Sequence, residues 1–128
     1  MIANKLKTKI LRISRDCYEV PNSNKRHFSY IVRRSKIISF GWNNGWKSSP
    51  LSNKFGCRFD AIHSELAAIR NFPYPVSELG RYQLINVRLN AKKELANSRP
   101  CQHCLTMLMY FGMTDIVYSS CKGEFLAL

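Results

Sequence analysis

Two short segments of the sequence carry side chains that suit a metal ion. His63 and Glu65 stand two residues apart, and residues 100–104 read Pro-Cys-Gln-His-Cys, which adds Cys101 and Cys104. A histidine nitrogen and two thiolates are ligands for a borderline-soft ion such as Zn²⁺, and three protein ligands leave a fourth tetrahedral position for water. An open position implies catalysis, with the Glu65 carboxylate beside the water to move its proton.

The cysteines are open to other interpretations than a catalytic metal. A Cys-x-x-Cys pair alone also fits a redox pair or half of a structural zinc site. A structural site needs a fourth protein ligand, which Cys57, His103 or Cys121 would have to supply. The spacing of His63 and Glu65 favours the catalytic interpretation, and His103 is expected on another face of its helix from the two ligands.

Two helices are predicted to carry these side chains. Residues 61–72 have apolar positions at helical spacing and stop before a proline, which places His63 and Glu65 in the first turn. A second helix is predicted over residues 100–111, with proline at its first position and glycine after its end. Cysteines three residues apart then lie on one face of that helix.

An N-terminal helix and four strands are predicted around the site. The helix covers residues 2–17, and its apolar stripe is expected to pack on a sheet in preference to binding a membrane or nucleic acid. The link Ala91–Arg99 fits a short helix or a hairpin excursion, and the last strand should follow its helix by a parallel crossover. Few residues remain beyond Ser120, so no further strand is expected. The predicted strands cover residues 27–33, 37–42, 82–89 and 115–120.

Composition and charge bound the class of protein and its partners. The 128 residues fit a single domain, and 45% hydrophobic with 22% charged residues is typical of a globular protein. A net charge of +12 favours a nucleotide or nucleic acid as partner. There is no apolar run long enough for a bilayer and no signal-peptide pattern, so a soluble, cytoplasmic protein without a membrane partner is expected. Homo-oligomerisation is left open.

Residues near the metal motifs are candidates for substrate contacts. A long loop over residues 41–60 leads into the histidine motif, and its amides and rings could contact and stack on a base. Trp42 in this loop fits base stacking and core packing equally well. Ser98 and Arg99 stand directly before the second motif and complete the predicted contacts, with Arg99 placed to meet a phosphate.

The sequence resembles the cytidine deaminase superfamily, in particular its deoxycytidylate and tRNA adenosine deaminase branches. The similarity lies in Phe-Gly-Trp-Asn at residues 40–43, in His-Ser-Glu-Leu-Ala-Ala-Ile at residues 63–69, and in the proline-cysteine motif through residue 119. The resemblance implies an α/β protein with a three-layer α/β/α fold. Its central sheet would be mixed, with about four to five strands flanked by helices.

The resemblance also implies roles for particular residues. Glu65 would be the catalytic proton shuttle, and Asn43 would contact the sugar or base. Ser64 stands where the family usually has alanine, and its backbone is expected to contact the base. The implied reaction is hydrolytic: water attacks C4 of cytosine or C6 of adenine, and ammonia leaves. The implied Zn²⁺ ligands are His63, Cys101 and Cys104.

Three functions remain open at this stage. The first is conversion of cytosine to uracil in a free nucleotide, which the local similarity favours, or in single-stranded DNA or RNA, which the charge and the aromatic loop favour. The second is adenosine deamination in tRNA or DNA. The third is a non-catalytic nucleic-acid-binding module with a structural zinc ion.

Overall fold

The described residues form three layers, with one α-helix on one face of a central sheet and two α-helices on the other face. The computed structural model describes residues 2–18, 26–43 and 63–128. The strand order is β2-β1-β3-β5-β6, with β4 paired to the end of β3, and only the β3–β5 pair is parallel among these strands. The predicted three-layer α/β/α fold with a mixed sheet is confirmed. The elements are α1 (Asn4–Tyr18), β1 (His27–Arg33), β2 (Lys36–Trp42), α2 (Ser64–Arg70), a 3₁₀ helix (Val76–Arg81), β3 (Gln83–Leu89), β4 (Leu95–Ala96), α3 (Gln102–Tyr110), β5 (Ile116–Ser119) and β6 (Phe125–Ala127).

Alternation along the strands gives the sheet two apolar faces. Phe28, Tyr30 and Val32 of β1 point to the face that the apolar stripe of α1 covers. Ile31 of β1 and Leu84 of β3 point to the opposite face, beneath α2 and α3. The amphipathic α1 therefore packs on the sheet, as expected. None of the helices within the described ranges is long and apolar enough to cross a bilayer.

Two short strands, β4 and β6, are not among the four strands that the sequence predicts. The hairpin alternative for the link before the second motif is the observed one, since β4 pairs with the end of β3. The expectation of no strand after Ser120 is wrong. Both hairpins have the same kind of five-residue turn. It begins with Asn90 in the β3–β4 hairpin and with Ser120 in the β5–β6 hairpin. The side-chain oxygen of this first residue accepts the backbone N–H groups of the residues two and four positions later. This turn is so compact that Phe125 already pairs with Ser119 and is buried.

A buried hydrogen bond joins α1 to the sheet and predicts a pH dependence of stability. The Tyr30 hydroxyl lies 2.7 Å from Ser14 Oγ and donates to the Ile10 carbonyl at 3.3 Å. Burial raises the pKa of Tyr30 above its ordinary value of 10.0, although the hydrogen bond to Ser14 acts in the opposite direction. The folded state therefore favours the neutral phenol. This contribution to stability is complete below pH 10.0 and is lost as the pH rises above that value.

We expect the free energy of unfolding to fall above that pH with a slope of up to about 1.4 kcal/mol per pH unit from this residue. Urea unfolding at neutral and alkaline pH measures it. In Tyr30→Phe this part of the slope should disappear, and the neutral-pH stability should drop by about 1–2 kcal/mol because the Ser14 hydroxyl is left buried without its partner. An unchanged alkaline slope in that variant would contradict the assignment.

Candidate metal centre

The helix α2 is fixed against the strand β2. A Cβ atom on Gly41 would lie 2.5 Å from Ala67 Cβ, so only a glycine allows the helix to pack this closely on the strand. The Ser39 hydroxyl also donates a hydrogen bond to the Ala68 carbonyl at 3.0 Å. This close contact holds the start of α2, and with it His63, at one end of the sheet.

The two motifs lie at the starts of α2 and α3. α2 begins immediately after His63, the N-cap residue, and Glu65 lies in its first turn. α3 begins immediately after Cys101, whose sulfur accepts the backbone N–H of Cys104 at 3.4 Å. The predicted position of Pro100 inside the first turn is therefore wrong, because the cysteine caps the helix and the proline precedes the cap. Residues 61 and 62, where α2 was predicted to start, lie outside the described residues.

Three donor atoms converge between these helix starts. His63 Nδ1 lies 3.1 Å from Cys104 Sγ and 3.9 Å from Cys101 Sγ, and the three atoms are all within 4.8 Å of one another. Typical zinc bond lengths in a tetrahedral site separate nitrogen and sulfur by about 3.6 Å, a value between the two observed distances. Cys104 is buried and Cys101 is exposed. The geometry and the donor types fit a zinc ion held at the protein surface.

A fourth protein ligand does not join this group within the described ranges. His103 is exposed on α3, as expected, and Cys121 is exposed on the turn between β5 and β6. Cys57 lies outside the described residues. The described part of the chain therefore supplies three ligands, the number typical of a catalytic zinc site.

Glu65 lies in the first turn of α2, two residues after His63, and is buried, with 6% of its surface exposed. Its Oε2 accepts a hydrogen bond from Asn86 Nδ2 at 3.0 Å, and its Oε1 accepts one from Ser64 Oγ at 3.2 Å. Ser29 Oγ lies 2.8 Å from Ser64 Oγ and 2.6 Å from Asn86 Oδ1. A buried carboxylate is stable only with such partners, which Asn86 and Ser64 provide, and Ser29 hydrogen-bonds both of these side chains.

Ser29 and Asn86 do not belong to the residues that the sequence predicts for the site. They are register partners on β1 and β3 and lie on the sheet face beneath α2, where the next pair, Ile31 and Leu84, is apolar. A polar residue at an inward position of an otherwise apolar strand face was the available signal. To recognise that these two polar residues contact each other, the register between β1 and β3 must be known. The pattern of residues along each strand does not determine that register.

His27 lies at the start of β1, near the same end of the sheet. Burial lowers the pKa of His27, the Glu65 carboxylate acts in the opposite direction, and the positive charge of Arg88 lowers the pKa further. Arg88 is exposed and is the register partner of His27 on β3. The site is therefore bordered by an imidazole held in its neutral form and by an exposed arginine.

The predicted substrate contacts at the end of β2 both take part in packing or hydrogen bonding. Trp42 is partly buried, packs on the apolar cluster beneath α1 and contacts Phe40 with ring centroids 5.8 Å apart. Asn43 Oδ1 accepts the backbone N–H groups of Arg26 and His27 at 3.1 and 3.0 Å. Their roles as substrate contacts stay predictions. The rest of the predicted loop, residues 44–60, lies outside the described residues.

The predicted contacts before the second motif differ in exposure. Ser98 is buried, and its hydroxyl donates to the backbone oxygen of Asn86 at 2.8 Å. Arg99 is exposed, and its guanidinium lies 6.0 Å from the centroid of the Tyr118 ring. Arg99 is thus accessible to an anion, whereas the Ser98 side chain stabilises the junction of β3 with the segment before α3. Substrate binding by either residue stays a prediction.

Comparisons with known proteins agree with this fold and donor set. A crystal structure of dCMP deaminase from the cyanophage S-TIM5 in complex with dCMP and dUMP is 15% identical in sequence, has a TM-score of 0.60, and aligns over 94% of this chain and 85% of that chain. The apo form of the same enzyme is 16% identical, with a TM-score of 0.58 and coverage of 93% and 86%. At such low identity the likeness concerns the fold. No curated protein sequence matches this chain.

A family described as the cytidine and deoxycytidylate deaminase zinc-binding region matches residues 2–120. The zinc-binding family and the three-donor group together support Zn²⁺ as the cofactor. Because the match covers most of the sequence, the chain belongs to the cytidine and deoxycytidylate deaminase zinc-binding family.

Proposed function

We propose that this protein is a zinc-dependent hydrolytic deaminase that converts cytosine to uracil in a nucleotide. The observation that carries the proposal is the convergence of His63, Cys101 and Cys104 at the start of the helix whose first turn holds the buried Glu65. Membership of a deaminase family supports the reaction class. The identity of the nucleobase, the identity of the sugar and the choice between a free nucleotide and a polynucleotide are all parts of this proposal.

His63, Cys101 and Cys104 are proposed to hold the metal. One nitrogen and two sulfurs suit zinc, and three ligands leave one position free. A zinc ion bound by these side chains supplies Lewis-acid activation of a water molecule. The exposure of Cys101 supports access of a substrate to this group from solvent.

Glu65 is proposed to carry the protons. Its carboxylate accepts a proton from the attacking water and delivers it to N3 of the ring as the oxygen bonds to C4. It then transfers the second water proton to the exocyclic amino group, and the C4–N bond breaks with release of ammonia. Cytosine and water thus give uracil and ammonia. The near-complete burial of Glu65 keeps its proton from exchanging with bulk water between these transfers.

Residues around the opening are proposed to bind the nucleotide. Asn43 and Trp42 at the end of β2 and the backbone of Ser64 at the start of α2 would contact the base or sugar. The exposed Arg99 would bind the phosphate, with Ser98 fixing the backbone beside it. A guanidinium gives a charge-assisted hydrogen bond to a phosphate oxygen.

A single-stranded polynucleotide is the second candidate substrate, because the charge of +12 exceeds what one phosphate needs. Arginines also line an open cavity of about 330 Å³ at the other end of β1, namely Arg33, Arg34 and Arg81. The seven residues of β1 separate this cavity from the metal centre by about 20 Å. A mononucleotide cannot reach both places, whereas a strand of several nucleotides can. Adenine in tRNA or DNA remains the further alternative.

The experiment is a substrate panel with zinc-loaded protein: dCMP, deoxycytidine, a cytosine-containing single-stranded oligonucleotide and an adenosine-containing tRNA hairpin. We expect conversion of dCMP, and a higher KM for deoxycytidine because it lacks the phosphate. Arg99→Ala should raise the KM for dCMP and change the KM for deoxycytidine little. Arg12→Ala, which removes an exposed arginine on α1, is the matched control and should change neither.

Other outcomes of the panel separate the alternatives. Conversion of the oligonucleotide alone would replace the mononucleotide with a polynucleotide substrate, and conversion of the tRNA hairpin alone would replace cytosine with adenine. If the protein binds zinc and nucleic acid tightly but releases ammonia from none of the substrates, the proposed deaminase function is wrong. The protein would then be a nucleic-acid-binding module.

A further inference from the structure

We propose that Asn86 is the positioning residue for the Glu65 carboxylate and that Ser29 fixes the orientation of the Asn86 amide. The inference deepens the proposed function, because it concerns the side chain to which that function assigns proton transfer. Neither Asn86 nor Ser29 belongs to the two sequence motifs. Both lie on central strands of the sheet, β3 and β1, and not on loops.

The hydrogen-bond partners determine which way the Asn86 amide faces. Asn86 Nδ2 lies 3.0 Å from Glu65 Oε2 and 3.3 Å from the Ser98 carbonyl oxygen, and both oxygens accept hydrogen bonds. On the other side, Asn86 Oδ1 lies 2.6 Å from the Ser29 hydroxyl. A flipped amide would bring oxygen against oxygen at two contacts. The NH₂ group therefore faces Glu65, and the Ser29 hydroxyl holds the opposite end of the amide.

Asn86 is a stronger partner of Glu65 than Ser64 is. The amide has two protons, one for Glu65 Oε2 and one for Ser98. Ser64 has one hydroxyl proton and two neighbours, Ser29 Oγ at 2.8 Å and Glu65 Oε1 at 3.2 Å. Ser29 is the donor toward both Ser64 Oγ and Asn86 Oδ1, and its contact with Asn86 is the shorter, at 2.6 Å, so the Ser64 proton goes to Glu65 Oε1. Oε2 is thus held by the amide at 3.0 Å and Oε1 by a single hydroxyl at the longer distance of 3.2 Å, so Oε1 is the oxygen more easily released for the reaction.

Burial makes this arrangement rigid. Ser29 is 0% and Asn86 is 3% exposed, and the two are register partners. The adjacent register pair on the same face, Ile31 and Leu84, shows that apolar residues fit this layer of the core. Buried polar pairs are costly unless they are fully hydrogen-bonded, so the polar pair is explained by the carboxylate that it holds. A side chain locked in this way keeps a proton-transfer group in its reactive geometry.

The test uses two variants and a matched control in zinc-loaded protein. Asn86→Asp removes the NH₂ donor and keeps an oxygen toward Ser29, and Ser29→Ala removes the hydroxyl that orients the amide. We expect kcat to fall by about 10- to 100-fold in Asn86→Asp and less in Ser29→Ala, with little change in KM. When Glu65→Gln is already present, adding Asn86→Asp should cause no further decrease in kcat. Ser14→Ala is the control, because it also removes a fully buried serine hydroxyl, here on the α1 face, and should lower stability while leaving kcat unchanged.

A second measurement does not need turnover. In urea unfolding, the effects of Asn86→Asp and Glu65→Ala should be non-additive, because both remove the same contact, whereas Ser14→Ala and Glu65→Ala should add. Ser29→Ala takes the place of Asn86→Asp in this cycle if the latter does not fold. Additive effects, or a kcat equal to that of the wild type in Asn86→Asp, would overturn the inference. If the wild type releases no ammonia at all, the proposed function fails, and the unfolding cycle still decides whether Asn86 holds Glu65.

Discussion

Turnover by the Glu65→Gln variant is expected to fall by about 10²- to 10⁴-fold, with zinc content unchanged. Glutamine has nearly the same size and fills the same buried position, so the metal ligands keep their surroundings. Its carbonyl oxygen can still accept the hydrogen bond that Asn86 gives to Oε2. Its amide cannot take up or deliver the proton on which the reaction depends. Initial rates of ammonia release, measured together with metal content, test this expectation.

The control for this prediction is Glu94→Gln, which removes an exposed carboxylate on the turn before β4. It should leave the rate and the zinc content as they are in the wild type. A Glu65→Gln variant that keeps zinc and retains a rate within a few-fold of the wild type would show that Glu65 is not the proton shuttle. Loss of both zinc and rate would assign Glu65 a structural role instead.

The second large effect is expected for Cys104→Ser, which should lose zinc and turnover together. Cys104 is fully buried, and its sulfur is the one nearest to His63, at 3.1 Å. A hydroxyl is a poor ligand for zinc compared with a thiolate. The loss of affinity should exceed the roughly 10- to 100-fold that follows removal of a hydrogen bond to a metal ligand. Zinc titration with a competing chelator measures it.

Stability gives an independent measure of the same variant. Zinc that binds only the folded protein raises the melting temperature, so a chelator should lower the Tm of the wild type. The Tm of Cys104→Ser should be nearly insensitive to the chelator. Cys121→Ser, at an exposed cysteine outside the donor group, should behave as the wild type. Wild-type zinc affinity in Cys104→Ser would contradict the assignment of this ligand.

The metal centre was predictable because its parts are local in sequence. The spacing of His63 and Glu65, and that of Cys101 and Cys104, each place two side chains at one helix start. Alternation predicted the four longer strands, and the crossover between β3 and β5 is parallel as expected. The convergence of histidine and cysteine, 41 residues apart, then follows from two helices that pack on one face of the same sheet.

The parts that were missed depend on contacts that the strand patterns do not encode. Ser29 and Asn86 are 57 residues apart, and they meet only because β1 and β3 pair in one particular register. The three residues of β6 are too few to show an alternating pattern. This strand reaches the sheet because the Ser120 side chain accepts backbone N–H groups within the preceding turn and stabilises it. The hydrogen bond of the Ser98 hydroxyl to the Asn86 backbone oxygen likewise joins parts of the chain that lie on different elements.

The most direct test of the central claim is the balance of products formed from dCMP by zinc-loaded protein. The account predicts one ammonia released for each deoxyuridylate formed, and no product from the metal-free protein until zinc is restored. Zinc-loaded protein that binds nucleotide or nucleic acid but releases no ammonia from any cytosine substrate would contradict the account.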